Sequence, residues 1–347
     1  MSKYTLGIIG SGQLGSLLCQ AANKLKIKTV VISDDEKGPA QNYADIFIYS
    51  KYTNKEKINE FIKKVDVVTY EFENIPVEIL KEINVAKKVL PNPDINQIIQ
   101  NRRLEKKFVN DLGIKTTDWA YINSAKDIKR NMRLLPGILK TNTLGYDGHG
   151  QFILNSLDDV KSGWCFTSDY VLEKRVKLTK EISVIITRYA NGEDYIYEPI
   201  ENIHKDQILY FSKIPAKISS DIFHKSQQQA KIIAKKLSFV GTMCVEFFID
   251  HENNLLVNEI APRVHNSGHL TINAFNVSQF ENHIRAVCGL KKKNVEKISN
   301  AEMKNILGKE IEEFRTKTFK KGQFFFDYDK KNIKDKRKMG HLTILKK

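Results

Sequence analysis

The sequence predicts a mixed α/β and α+β protein, with a parallel α/β unit first, an α+β region after it and a small subdomain last. Three observations carry this. An apolar run at residues 5–9 breaks at Gly10-Ser11-Gly12 and resumes with helical spacing through Leu14, Leu17, Leu18, Ala21 and Leu25, which reads as strand, glycine turn and helix. Apolar runs at 29–32, 46–49 and 65–70 alternate with helix-like segments, as in a small parallel sheet. Pro91 and Pro93 then punctuate the chain, and strand-like and helix-like pieces alternate beyond them to about Gly289. The expected division is 1–100, 101–290 and 291–347. Residues 94–112 read as one helix carrying Arg102, Arg103, Lys106 and Lys107, and Phe324-Phe325-Phe326 with the stretch 340–345 marks the last piece.

A chain of 347 residues exceeds the usual size of a single core, and 41% hydrophobic with 28% charged residues is the balance of a folded globular protein. No stretch approaches the roughly 18 apolar residues of a membrane span, and residues 1–6 carry no signal-peptide pattern, so no membrane partner and a cytoplasmic location are expected. Cys19, Cys165, Cys244 and Cys288 lie far apart without a C-x-x-C pair and read as buried or inert thiols. A net charge of +15 attracts anions, either nucleic acid or phosphorylated small molecules. Lysines scattered along helical stretches such as 55–64 also fit a plain solvated face.

Gly10, Gly12 and Gly15 satisfy G-x-G-x-x-G, with Asp34 and Asp35 about 20 residues further on. The turn alone fits a dinucleotide site, a backbone cradle for any phosphate, or a tight strand-to-helix turn without a ligand. A nicotinamide oxidoreductase leaves the carboxylates and lysines downstream unexplained.

Apolar runs at 244–249 and 255–260 flank a polar turn and predict a β-hairpin. A four-residue loop pairing Asp250 with Leu255 sets Glu246 directly across from Glu259, with both carboxylates on one face. Opposed like charges repel by roughly 0.2–1 kcal/mol even when solvated, and a divalent cation relieves them. Magnesium takes carboxylate oxygens and substrate phosphates, so Glu246, Glu259 and the amide of Asn258 or Asn266 are candidates for holding Mg2+ with ATP. A register slip would instead put one glutamate in solvent. The polar loop that follows offers Arg263 to grip an oxyanion, with His265 and Asn266 to orient one. Upstream, Lys140 ends an apolar run and precedes Gly145, Tyr146, Asp147, Gly148, His149, Gly150 and Gln151, which read as a flap over a triphosphate or as an ordinary hairpin turn.

These residues resemble the 5-(carboxyamino)imidazole ribonucleotide synthases, ATP-grasp enzymes of purine synthesis. The likeness runs through GSGQLG at 10–15, YEFEN at 70–74, GYDGHGQ at 145–151, NEIAPRVHNSGH at 258–269 and KMGH at 338–341. The resemblance implies an ATP-grasp fold behind an N-terminal domain like that of biotin carboxylase. It implies ATP binding by Arg102, Lys140, the 145–151 loop, Glu173, Lys174, Arg175, Val176, Glu181, His204, Asn258 and Glu259, and magnesium on Glu246 and Glu259. Arg263, His265, Asn266 and Lys338 would handle bicarbonate or carboxyphosphate, while Gln13, Glu73, Arg337 and Lys338 would line the aminoimidazole ribonucleotide side. A homodimer, no nucleic-acid partner and hand-over of the product to a mutase are implied with them. Two departures stand out: position 149 is histidine where relatives carry lysine or arginine, and the chain stops at Lys347 where many continue, so flap charge and terminal packing are expected to differ. Another ATP-grasp ligase would share the ATP site, and a nucleic-acid module would rest on the lysines and aromatics of 318–347.

Overall fold

The computed structural model describes residues 4–145, 150–160 and 168–346. The chain opens with β1 (Thr5–Ile9), α1 (Gln13–Lys24), β2 (Lys28–Ser33), β3 (Ile46–Tyr49), α2 (Lys55–Lys64), β4 (Val67–Tyr70) and α3 (Val77–Ala86). Its strands form a parallel sheet ordered β3-β2-β1-β4. They read as nearly continuous apolar runs because both faces are covered. Phe61, Leu80 and Ile83 of α2 and α3 pack on one face, and Leu14, Leu17 and Leu18 of α1 pack on the other with Phe280 and Ile284 from late in the chain.

Residues 94–112 form two helices, α4 (Pro93–Ile99) and α5 (Arg102–Asp111), rather than the single one expected. The Asn101 side chain accepts the Leu104 N–H at 3.1 Å and caps α5, which stops α4 from running on. The Arg102 N–H donates to the Asn142 carbonyl at 2.9 Å, tying the start of α5 to the segment after Lys140.

Next, β5 (Trp119–Ile122), α6 (Ala125–Arg130), β6 (Gly137–Thr141), β7 (Gln151–Leu154) and β8 (Tyr170–Lys174) build an antiparallel sheet ordered β5-β8-β6-β7. The larger sheet contains β9 (Leu178–Arg188), β10 (Asp194–Ile196), β11 (Ile200–Lys205), β12 (Ile208–Ile214), β13 (Gly241–Asp250) and β14 (Leu255–Ala261), with α7 (Ser220–Lys236) between β12 and β13. After α8 (Thr271–Ala274) and α9 (Gln279–Val287), the strands β15 (Asn300–Leu307), β16 (Gln323–Asp327) and β17 (Lys338–Lys346), with α10 (Glu310–Thr316), extend that same sheet. Phe211 of β12 stands opposite Lys304 of β15, so the last piece continues the sheet while keeping a small core of Ile306, Ile311, Phe314 and Met339. His283 on α9 joins the two units: its Nδ1 accepts the Thr242 N–H at 3.0 Å, which leaves Nε2–H to reach Thr69 Oγ1 at 2.8 Å. Among the described residues no helix is long and apolar enough to cross a membrane.

The glycine turn holds a carboxylate of its own chain. Glu71, just after β4, is buried and accepts the backbone N–H of Gly15 at 2.8 Å and that of Gly12. Gly12 has no side chain with which to cap α1, so Glu71 supplies the anion that a helix N-terminus favours. A Cβ at Gly12 would sit 2.7 Å from Glu71 Oε1, and one at Gly10, where φ is +100, would sit 2.6 Å from its Cγ. The glycines therefore make room for Glu71, and the dinucleotide reading of the turn loses its anion site. Burial pushes the Glu71 carboxyl above its ordinary range despite those two N–H donors. Glu71→Ala would leave two buried N–H groups unpaired and should cost about 2 kcal/mol or more in urea unfolding, with Glu71→Gln losing less.

Candidate active site

The β13–β14 hairpin sets Glu246 directly across from Glu259. The loop differs from expectation: Leu255 pairs with Ile249 rather than Asp250, and a β-bulge at Asn258 restores the register before the two glutamates meet. The expected pairing of the glutamates was thus reached through a wrong loop length. Glu105 on α5 braces the bulge by accepting the Ile260 N–H at 2.6 Å.

Burial pushes the Glu246 carboxyl up to about 8, and the charge of Glu259 adds to the shift. Glu105 is also pushed up to about 8, first by burial and then by Glu259. Arg102 Nη1 lies 3.7 Å from Glu259 Oε2, and His265 Nε2 lies 3.2 Å from Glu246 Oε1. Cys244, Glu246 and His265 also bring one ligand atom each within 4.8 Å of one another. Burial pushes the Cys244 thiol well above its ordinary range, so that set lacks a ready thiolate. The opposed oxygens of Glu246 and Glu259 are the donor set that suits a hard divalent cation.

One cavity of about 1020 Å³ is lined by every described residue expected to bind ATP, magnesium, the oxyanion or the ribonucleotide except Gly150. Along one part of its wall lie Arg102, Lys140, Gly145, Gln151, Glu173, Lys174, Arg175, Val176, Glu181, His204, Asn258 and Glu259. Arg102 Nη2 donates to the Gly145 carbonyl at 3.2 Å. Gly150 adopts φ +74 at the entry to β7. Tyr146, Asp147, Gly148 and His149 lie outside the described residues. His204 Nδ1 lies 2.8 Å from Glu181 Oε2; burial works against a charged imidazole, but Glu181 outweighs it and raises the His204 pKa.

Lys140 is not a free point charge. Its Nζ lies 3.0 Å from Glu173 Oε2, while Lys106 Nζ lies 3.3 Å from Glu173 Oε1, and all three residues are buried. Burial alone would raise the Glu173 carboxyl, yet the ammonium groups of Lys106 and Lys140 pull it down to about 2.

Gln13, Glu73, Arg263, His265, Asn266, Arg337 and Lys338 line the same cavity. Arg263 Nε donates to the Glu73 carboxylate and Nη1 to the Val264 carbonyl at 3.0 Å. Burial would raise Glu73, but the Arg263 charge prevails and lowers it. Lys330 donates to Gln13 Oε1 at 2.8 Å and to the Lys338 carbonyl at 2.6 Å. Burial, helped by Arg263 and Lys338, drives the His265 pKa well below its ordinary range, so the imidazole is neutral. Its Nδ1 accepts the Ser267 N–H at 3.4 Å as His265 caps the short turn Asn266–Leu270. The proton therefore sits on Nε2, facing Glu246.

Sequence reasoning missed Glu71, Glu105, Lys106, Ser267 and Lys330. Lys106 was within reach, because it follows Arg102 by one helical turn on α5. Glu71 and Ser267 stand inside the segments 70–74 and 258–269 already singled out, whereas Glu105 and Lys330 meet their partners from distant segments and carry no local signal.

Glu173 stabilises the fold in a pH-dependent way. Its ordinary value is 4.5 and its folded value about 2, so its contribution is complete above pH 4.5 and is lost as pH falls toward 2. Urea unfolding at stepped pH should show a loss of about 3 kcal/mol across that window. Glu173→Gln should remove that slope and cost about 3–5 kcal/mol at pH 7.

Residues 3–100 match the ribonucleotide synthetase preATP-grasp domain, 107–280 the ATP-grasp domain and 301–347 the phosphoribosylaminoimidazole carboxylase C-terminal domain. The chain is 38% identical to the N5-carboxyaminoimidazole ribonucleotide synthase of Staphylococcus aureus strain COL, across 98% of this chain and 92% of that one. Identity to the Brucella melitensis synthase is also 38%, across 99% and 96%. The crystal structure of the S. aureus synthetase complexed with ADP is similar at a TM-score of 0.93 and 38% identity, covering 99% of this chain and 93% of that one. The Aspergillus clavatus synthase in complex with ADP and 5-aminoimidazole ribonucleotide is similar at 0.89 and 27% identity, covering 99% and 94%. With an ATP-grasp domain in the middle and relatives matched along nearly the whole length, the chain belongs to the N5-carboxyaminoimidazole ribonucleotide synthase family of ATP-grasp ligases.

Proposed function

We infer that this chain carries out the ATP-dependent carboxylation of 5-aminoimidazole ribonucleotide to N5-carboxyaminoimidazole ribonucleotide, a step of purine biosynthesis. The observation that carries the reading is one cavity that joins the opposed glutamates and buried Lys140 to the Arg263–Asn266 loop and the basic Arg337-Lys338 pair. A triphosphate and a small oxyanion can meet there without crossing bulk water. Residues 1–100 are assigned to the ribonucleotide side, 101–290 to ATP chemistry and 291–347 to the ribonucleotide end through Arg337 and Lys338.

Bicarbonate is a poor electrophile. Its oxygen attacks the γ-phosphorus of ATP, ADP leaves, and the carboxyphosphate so formed divides into CO2 and phosphate. The substrate amine adds to CO2 and gives its proton to the departing phosphate, leaving the carbamate. Little covalent help is needed, so the protein contributes position and charge. Lys140 answers the charge on the transferred phosphoryl group, and Arg263 beside His265 holds the oxyanion. Glu246 and Glu259 would hold magnesium, which would counter the burial that raises the Glu246 carboxyl and, when bound, supplies Lewis-acid charge to the phosphates. Closure over the cavity excludes water, to which both intermediates are vulnerable. The reading extends to a cytoplasmic homodimer and, because a carbamate loses CO2 in water, to hand-over of the product to a mutase.

ADP release by the purified protein should require bicarbonate and be stimulated by 5-aminoimidazole ribonucleotide. Glu259→Gln should abolish it. Full activity in that variant removes the metal assignment, and ATP turnover indifferent to bicarbonate removes the substrate assignment.

A further inference from the structure

Asn305 on β15 is buried and gives one hydrogen of its Nδ2 to the Leu209 carbonyl at 2.9 Å and the other to Asn266 Oδ1 at 3.0 Å. A backbone carbonyl only accepts, so the Leu209 contact decides which end of the Asn305 carboxamide faces that way. The same amino group meets Asn266, which must therefore turn its oxygen toward Asn305. Its own Nδ2 is left over, buried and without a partner among the described residues. Asn266 lines the cavity beside Arg263, His265 and Lys338, whereas Asn305 does not. The oxygen of Asn305 is likewise buried and unpartnered, so the side chain serves only as a double donor.

We propose that Asn305 is a positioning residue: by fixing the orientation of the Asn266 carboxamide, it presents Nδ2 of Asn266 as a donor to an oxygen of the bicarbonate-derived ligand. The proposal rests on the assignment of bicarbonate to this loop. Arg263 and Lys338 supply charge there, and charge alone attracts an anion from any direction. A neutral donor of fixed orientation adds direction. With the carboxamide reversed, Asn266 would offer an oxygen to an oxyanion and repel it. The β15 strand thus shapes the oxyanion end from outside the cavity.

The test is steady-state ADP release with bicarbonate and ATP varied in turn, after thermal melting has shown that each variant is folded. Asn305→Asp replaces the two donors with acceptors, so Asn266 reverses, and KM for bicarbonate should rise about tenfold while KM for ATP stays within about twofold. Asn305→Ser keeps one donor and should give a smaller rise in the same direction; it carries the test if the aspartate variant does not fold. In an Asn266→Ala background the Asn305 substitutions should add nothing further to KM for bicarbonate. An equal added rise in that background, equal rises in both KM values, or an unchanged KM for bicarbonate overturns the proposal. If the unaltered protein releases ADP independently of bicarbonate, it is the functional reading that fails.

Discussion

Two carboxylates held face to face on neighbouring strands push against each other, and the surroundings of Glu246 and Glu259 answer them only in part. Arg102 stands 3.7 Å from Glu259. Glu246 has the Nε2–H of His265, but burial and Arg263 keep that imidazole uncharged. The Glu246 carboxyl consequently remains pushed up to about 8, and so does that of Glu105, on which Glu259 also acts. A hairpin in this condition is short of positive charge at one point on the cavity wall. A divalent cation there would relieve it, and an oxygen-only donor set suits a hard one.

The alternation of β13 and β14 was legible because strand side chains repeat every two residues, and that period put both glutamates on one face. The loop length was not legible. It depends on the bulge at Asn258, which is held by Glu105 from a helix 155 residues away. A local pattern fixes which face a side chain takes, while a tertiary contact decides where the ladder skips.

The glycine turn shows the same limit from the other side. Gly10, Gly12 and Gly15 left room for a bound phosphate or for a turn without a ligand, and the structure fills the turn with an acidic side chain of the chain itself. What the turn could not reveal is that the anion is Glu71, 56 residues beyond Gly15 in sequence. The YEFEN segment holds two glutamates, and they face opposite tasks: Glu71 closes the turn, while Glu73 pairs with Arg263 on the cavity wall. The break between α4 and α5 was different, because Asn101 ahead of Arg102 is a local capping signal that a reading by helical spacing alone passes over.

The net charge of +15 invites the view that a basic protein simply draws in phosphates. The interior argues for something more selective. Burial lowers the Lys106 pKa, and Glu173 works against that loss, while its other oxygen pairs with Lys140 Nζ. A buried lysine without such a carboxylate would tend to discharge. Glu173 therefore gathers two lysine side chains in a dry place where charges are least screened, and scattered surface lysines have no equivalent arrangement.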